Sequence, residues 1–600
     1  MSTYRAPLDE MQFVLNELAG LGQVATLPGF EDAEPETVAA ILEEASRFAT
    51  DVLDPLNRPG DQRGAIRRDD GSVEMPEGFR DAYWKYVENG WNGLSKSREF
   101  GGQGLPQIVA AAVEEMWHAA NMAFDLCPLL TQGAIEAIEL NGSDELKARY
   151  LPKMVAGEWT GTMNLTEPQA GSDLAAVRTR AVPQKDGTYL VSGQKIFITY
   201  GEHDYTDNIV HMVLARLPDA PEGTKGISLF LVPKFIPDAD GKPGKRNDVH
   251  CVSIEHKLGI HASPTCVMSY GEHGGATGWI IGEANHGLEY MFVMMNLARY
   301  SVGLEGVGIA ERAYQRAVAY ARDRVQGRAV GLDKGAKAGA IIEHPDVRRM
   351  LMTMRAWTEA TRAVAYVTGA AMDHAARHPD ADARKRHQAF VELMIPIVKG
   401  HSTEVAQEVA SLGLQVHGGM GFIEETGAAQ HYRDARITTI YEGTTGIQAN
   451  DLIGRKTARD GGATARTVAR EIAAVANRLG SSADPDLQAI GVRLAAAEAA
   501  LQRAIDWIVP AVGGNTRVAH AGAVGYLRLW GTVVGGWQLA RGAEIAKRKL
   551  AAREGDHAFL EAKVTTARYY ADVLLPWAEA YEALATGGGE AAVAMPAEQF

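Results

Sequence analysis

The strongest constraint on how this chain can fold is a change in hydrophobic period, from helical to alternating and back, with each regime confined to its own block. From about Pro35 to Ala156 apolar residues recur at helical spacing, and the stretch ETVAAILEEASRFATDVLDPL puts Val38, Ile41, Leu42, Ala45, Phe48 and Ala49 on one face. Between about Thr160 and Ile281 the texture becomes short runs rich in Val, Ile, Thr and Phe, such as TYLVSGQKIFIT, NIVHMVLARL and KGISLFLVP, separated by Gly, Pro and Asp. Such runs predict strands. Inside this block DADGKPGKRNDV, about Asp238 to Val249, predicts an exposed loop. Past Gly287 the helical period returns and holds to about Arg455. GRKTARDGGATART then reads as a joint, and an Ala-rich helical tail runs from about Val468 to Leu584.

Segregated helices and strands predict an α+β fold. The expected division is an N-terminal extension (1–34), an N-terminal helical domain (35–158), a middle domain resembling a β-barrel (159–284), a C-terminal helical domain (285–457) and an additional helical tail (458–600). With 600 residues the chain exceeds what one core organises.

A formal charge of −15, from 60 basic and 75 acidic residues, gives no general attraction to nucleic acid or to an anionic membrane. Any polyanionic ligand must be held locally. Three scattered cysteines, Cys127, Cys251 and Cys266, suit neither a disulfide framework nor a zinc site and read as packing thiols in a reducing compartment, with no metal expected. The start of the chain has neither a signal-peptide nor a transit-peptide pattern, and no apolar run approaches membrane-spanning length. The expectation is a cytoplasmic protein without stable membrane insertion.

Four segments carry candidate chemistry. RDARITTIYEGTTGIQ, Arg433 to Gln448, places Glu442 between bulky apolar residues and a Gly-Thr-Thr turn at a helix start. Desolvation there would raise its pKa toward that of a general base, whereas the plainer reading is an acid favoured by a helix N-terminus. MNLTEPQAGSDLAAVRTRA, Met163 to Ala181, has Thr166 ending a strand and a tight Gly171-Ser172-Asp173 turn. Its amides could approach a phosphate or a flavin edge, or it could be an ordinary turn. GQKIFITYG, Gly193 to Gly201, carries Phe197 and Thr199 on one face by period-two alternation, to stack and to donate, or simply to pack in a core. QVHGGMGF, Gln415 to Phe422, interrupts a helix with Gly418, Gly419 and Gly421, allowing close approach of a ligand or merely ending the helix. It lacks the strand-turn-helix setting of a nicotinamide fingerprint.

In order and spacing, LTEPQAGSD, GQKIFIT, YARDRVQG, QVHGGMGF and RDARITTIYEGTTGIQ resemble the acyl-CoA dehydrogenase family over roughly residues 35 to 455. The tail, together with KLGIHASPTC (Lys257 to Cys266), is similar to a longer bacterial branch that contains methylmercaptopropionyl-CoA dehydrogenases. The resemblance implies FAD as cofactor, with Leu165, Thr166, Phe197 and Thr199 at the isoalloxazine edge and Ser172 at the pyrophosphate. It also implies a homodimer, because Arg324, Gln326, Gln415 and Gly419 match positions that reach a neighbour's flavin, while Thr444 and Thr445 match positions at the adenosine end. Acyl-CoA would be met by Ser172, Asn296, Arg299 and Gly443.

Three departures from the family pattern stand out. Gln326-Gly327 compresses the usual Gln-Phe-Gly, Gly446 replaces a common Glu or Gln, and Asn296 replaces an Asp. Some members carry the base immediately before the Arg matched by Arg299; here that position is Ala298, so the resemblance assigns the base to Glu442 and leaves Glu305, six residues past Arg299, a structural role. The implied reaction is α,β-dehydrogenation of a fatty-acyl thioester to trans-2-enoyl-CoA, with the carbonyl oxygen stabilised by the Glu442 amide and a flavin ribityl hydroxyl, and with electron-transfer flavoprotein as acceptor. The alternatives are an oxidase using oxygen and a non-redox acyl-CoA-binding protein.

Overall fold

The structure, a computed structural model, describes residues 3–331, 333, 335 and 337–600. It divides into two compact units, each drawn from separated stretches of chain. One comprises Arg47–Leu105 and Ala120–Ser301, the other Met1–Ser46, Pro106–Ala119 and Val302–Phe600.

The first unit is built on a barrel. After a small hairpin of β1 (Ile66–Arg67) and β2 (Val73–Glu74) come β3 (Trp159–Asn164), β4 (Arg180–Pro183), β5 (Tyr189–Thr199), β6 (Asn208–Arg216) and β7 (Ile227–Pro233). They are followed by β8 (Phe235–Pro237), β9 (Pro243–Arg246), β10 (Val249–Ile254), β11 (Thr265–Tyr270) and β12 (Ala276–Ile281). Pairing runs β4 to β5, β5 to β12, β12 to β7 and β7 to β6, and the Arg180–Arg216 pair joins β6 back to β4, closing a ring of five strands. β3 joins in parallel to β6, and β11 and β10 extend from β5.

β3 and β7 are buried along their whole length, and β6 at every residue but the last. For β6 and β7 this explains sequences that read as near-continuous apolar runs rather than alternating ones, whereas β3 buries Thr160, Thr162 and Asn164. Polar groups on them pair within the interior: Thr162 Oγ1 lies 2.7 Å from His211 Nδ1, and Thr160 Oγ1 lies 2.9 Å from His203 Nε2, while His211 Nε2 has no hydrogen-bond partner among the described residues.

The segment expected to be an exposed loop is largely exposed, but it forms the turn and second strand of the β8–β9 hairpin rather than loop alone. The Asp238 carboxylate accepts the Asp240 and Lys242 amides, which folds the polar residues into a turn, and the Arg246 guanidinium sits 5.0 Å over the Phe235 ring. The three cysteines are buried and unbridged, as packing thiols should be.

The second unit is helical. In the Pro35–Phe48 helix the face drawn from the sequence is the buried one, with Ile41 half-buried at its edge. Two long helices, Pro345–Arg377 and Ala381–His417, form an antiparallel pair whose turn is capped by Asp380. The tail supplies Ala463–Gly480, Pro485–Gly514, Ala523–Ala552 and His557–Tyr569. The Ala523–Ala552 helix lies against the long pair at glycines. A methyl at Gly531 would fall 2.0 Å from His401 Cγ, and one at Gly535 would fall 3.1 Å from Ala360 Cβ.

The N-terminal extension is stitched to the tail by Phe13 packing with Ala546, Leu560 and Val564, and by the buried Lys563 ammonium, which donates to Glu10 and Glu359. No helix among the described residues is long and apolar enough to cross a membrane.

The glycine contact gives a stability prediction. Alanine in a helix interior normally gains about 1 kcal/mol over glycine, but at Gly531 the overlap with His401 should reverse the sign, at a net cost of about 1–3 kcal/mol. Thermal melting should place Gly531→Ala below wild type, while Gly513→Ala, where a methyl meets nothing within 4 Å, should melt at or above it. A Gly531→Ala protein as stable as wild type would show that the tail does not dock at this helix face.

Candidate functional site

In the helical unit, the Ala428–Thr438 helix ends and the chain reverses through Tyr441, Glu442, Gly443 and Thr444 into the Thr445–Asp451 helix. The reversal is made by two consecutive left-handed residues, Glu442 at φ 54° and Gly443 at φ 89°. At Gly443 a side chain would also meet Gln448 Nε2 at 2.6 Å, so glycine is required there. At Glu442 the left-handed backbone costs about 1–3 kcal/mol and persists only if its surroundings impose it.

They do so through a buried lysine. Lys399, on the Ala381–His417 helix, donates at 2.7 Å both to Thr438 O, at the end of the preceding helix, and to Gly443 O, in the loop itself. Gln448 Nε2 adds bonds of 3.2 and 3.3 Å to the Glu442 and Gly443 carbonyls. Thr444 caps the following helix, its hydroxyl accepting the Ile447 amide. Thr445 donates at 2.6 Å to Glu404, which in turn is bridged by Arg528 of the tail helix. The side chains of Thr444 and Thr445, expected at the adenosine end of a flavin, thus also serve the loop's own fold. Glu442 is half-buried and precedes the cap by two residues, so it stands outside the helix rather than in its first turn.

Beneath the loop, the Tyr441 hydroxyl donates to the carboxylate of Glu305, which is fully buried on the Gly287–Asp323 helix. Burial pushes Glu305 up to about 7, and His118, the Tyr441 bond and Lys399 hold it from rising further.

Elsewhere in this unit Arg324, Gln326, Gln415 and Gly419 are all exposed. The Ala381–His417 helix stops at Gly418, φ 59°, and a side chain at Gly418 or Gly419 would meet open space. Phe422, beside them, is 90% exposed.

In the barrel unit, β3 ends at Asn164, so Thr166 lies two residues beyond the strand rather than at its end, within a loop fixed by a second buried lysine. Lys195, on β5, donates to Leu165 O at 3.0 Å and to Glu167 Oε1 at 2.8 Å. Glu167 also accepts the Arg178 and Thr179 amides and the Thr179 hydroxyl. Burial alone would raise the Glu167 pKa; the Lys195 charge and these hydrogen bonds outweigh it and bring it down to about 2. Burial pulls Lys195 down to about 8, so both are charged at neutral pH. In the same loop Ser172 is exposed, a side chain at Gly171 would meet nothing within 4 Å, and Asp173 serves as a cap, accepting the Ala175 amide.

The alternation used to pair Phe197 with Thr199 does not run through unbroken. β5 bulges against β11 between the Lys195–Met268 and Ile198–Cys266 pairs, and Phe197 takes φ 60° at the bulge, leaving its ring 58% exposed. Ile196, beside it, donates its amide to Thr166 O at 2.9 Å, tying the bulge to the loop. Leu165, Thr166 and Thr199 are half-buried, Asn296 is exposed, and Arg299 and Ala298 are buried on the Gly287–Asp323 helix. Sequence reasoning missed Lys195, Glu167, Lys399 and Gln448 altogether. The lysines leave one trace, each being a lone charge in an apolar stretch, KIFIT and IPIVKG.

Along 98% of its length the chain is 52% identical to 3-methylmercaptopropionyl-CoA dehydrogenase of Ruegeria pomeroyi, covering 99% of that protein. The chain belongs to the acyl-CoA dehydrogenase family. Its residues 35–158, 162–272 and 285–456 match the acyl-CoA dehydrogenase N-terminal, middle and C-terminal domains, and residues 468–596 match a further domain described as acetyl-CoA dehydrogenase C-terminal like. This acyl-CoA dehydrogenase is also 34% identical to butyryl-CoA dehydrogenase of Syntrophomonas wolfei, covering all of this chain and 99% of that one. It shares its fold with the acyl-CoA dehydrogenase of Bacillus anthracis solved in complex with FAD, at TM-score 0.74 and 22% identity, over 97% of this chain and 93% of that one. The family and the α+β fold with a β middle domain and a helical tail, expected from the motifs, are therefore both found.

The buried pair in the barrel unit yields a pH prediction. Because Glu167 has its pKa depressed from 4.5 to about 2 on folding, its contribution to stability is complete above about 4.5 and is lost as pH falls toward 2. Glu167→Gln strands the buried Lys195 charge and should cost about 3–5 kcal/mol at neutral pH. In denaturant titrations the gap between wild type and Glu167→Gln should narrow between pH 4.5 and 2. A gap independent of pH would mean that the carboxylate is not what holds this loop.

Proposed function

We propose that this protein oxidises an acyl-CoA thioester to its trans-2-enoyl-CoA with FAD as cofactor, and that Glu442 removes the α-proton. The observation that carries the reading is the loop at Glu442. A half-buried carboxylate sits on left-handed backbone that a buried lysine, a glutamine and a required glycine hold in place. Strain sustained in this way fits a group that must be aimed.

An α-hydrogen of a thioester is too weakly acidic for a carboxylate unless the enolate charge is met as it forms. In this reading the Glu442 amide donates to the thioester oxygen while its carboxylate accepts the proton. The α-carbon electrons then form the double bond, and the β-hydrogen leaves with its bonding pair. FAD, when bound, supplies the acceptor for that hydride.

The residues present fit such a group. Phe197 offers an exposed apolar ring at a bulge, Leu165 and Thr166 stand on a loop pinned by Lys195, and Gly171 and Ser172 leave backbone open to a phosphate. Arg324, Gln326, Gln415 and Gly419, all exposed, would complete a neighbour's cofactor site in a homodimer. Asn296, Arg299, Ser172 and Gly443 would meet the acyl-CoA, and electron-transfer flavoprotein would take the electrons onward. The 52% relative favours a short thioether chain, 3-methylmercaptopropionyl-CoA, as the preferred substrate.

Glu442→Gln keeps the shape and removes the base. With an electron-accepting dye, it should retain flavin and acyl-CoA binding while turnover falls by about 10⁴-fold, the upper end for a general base. A fall under about tenfold would assign proton removal elsewhere. A wild-type preference for butyryl-CoA over 3-methylmercaptopropionyl-CoA would overturn the substrate assignment alone.

A further inference from the structure

Resting on the reading of Glu442 as base, we propose that Glu305 is a positioning residue for that base, acting through Tyr441 to fix the loop from below. Glu305 is a carboxylate with no exposure to solvent, placed by the Gly287–Asp323 helix against the residue that precedes Glu442 in the chain. Its Oε2 accepts the Tyr441 hydroxyl, and its Oε1 has no hydrogen-bond partner. A buried carboxylate with one oxygen unsatisfied is costly, and an apolar residue of similar size would fill the space without that cost. The reaction itself makes no use of it. What it supplies is an anchor: with Lys399 holding Thr438 and Gly443 and Glu305 holding Tyr441, the residues on both sides of Glu442 are tied to rigid helices.

The charges around Glu305 decide how firm this anchor is. Facing it are His118 and Glu114 on the Gln107–Asn141 helix, Lys399 on the Ala381–His417 helix, and Tyr441 on the base loop, with Glu442 and Asp434 beside Tyr441. His118 and Lys399 favour the ionised form, and burial and Glu114 oppose it. A phenol donates more strongly to a carboxylate than to a neutral acid, so the loop is held best when Glu305 is ionised. The balance point is about 7. Turnover should therefore carry an inflection from the ionisation of Glu305.

The test uses the FAD-loaded full-length enzyme and three variants, Glu305→Gln, Tyr441→Phe and the double variant. A hydrogen bond to a charged group is worth about 10- to 100-fold. Each single change should lower kcat within that range, with KM for acyl-CoA changed less than about twofold, because the bond serves aim rather than binding. The double variant should be no worse than the poorer single variant, since both remove the same bond. The inflection near pH 7 in the wild-type kcat profile should be missing from both single variants.

Multiplying losses in the double variant, a fall confined to KM, or an inflection that survives Glu305→Gln would each overturn the proposal. If Glu305→Gln does not fold, Tyr441→Phe, which keeps the carboxylate, carries the same kinetic and pH readouts. Failure of the underlying reading looks different, because an active Glu442→Gln enzyme would displace the base whatever the Glu305 variants do.

Discussion

The arrangement at Glu442 depends on one buried ammonium. Lys399 lies inside the helical unit, and its two 2.7 Å bonds bring the last turn of one helix and the carbonyl of Gly443 to the same point. Removing a lysine charge from water is expensive, and here carbonyl dipoles and the nearby Glu305 compensate for it. The consequence is mechanical. A carbonyl held on each side of Tyr441 and Glu442 braces the loop in which Glu442 takes its left-handed backbone, and the direction of the Glu442 side chain follows from that backbone.

The barrel unit repeats the device with different partners. Lys195, also buried, reaches from a regular strand to Leu165 O and Glu167 and pins an irregular loop whose neighbouring residues are open to a ligand. In both units the segment that would meet cofactor or substrate is loop, and a lysine on a helix or strand fixes it. Sites supported in this way hold geometry more closely than free loops do. The tail contributes at one remove, because Arg528 bridges Glu404, the partner of Thr445 at the start of the helix after Glu442.

Much of this was legible in the residues. The period change located the strands, the face of the Pro35–Phe48 helix was drawn correctly, and Glu442 stood out as a carboxylate between apolar residues and a turn. Three things were hidden, each for a physical reason. The Asp238 to Val249 segment looked like loop because its strands are three and four residues long and its turn is closed by an aspartate, whose composition matches that of a loop. The placement of Phe197 rested on an alternation that a single bulge interrupts, and no local pattern announces a bulge. Lys399 and Lys195 were passed over because a lone charge in an apolar run reads as an ordinary exposed residue, and their partners are 28 to 44 positions away in the chain. Long-range pairing of this kind is what a one-dimensional period cannot carry.

The central claim is that Glu442, held in this loop, takes a proton from the carbon next to the thioester. Proton exchange isolates that step from hydride transfer. The FAD-loaded enzyme is held in D2O without an electron acceptor, with acyl-CoA in excess over flavin, and α-carbon deuterium is followed by mass spectrometry. Wild type should wash deuterium into the α-position, and Glu442→Gln should slow that exchange by about 10⁴-fold. Exchange at the wild-type rate in Glu442→Gln would contradict the account.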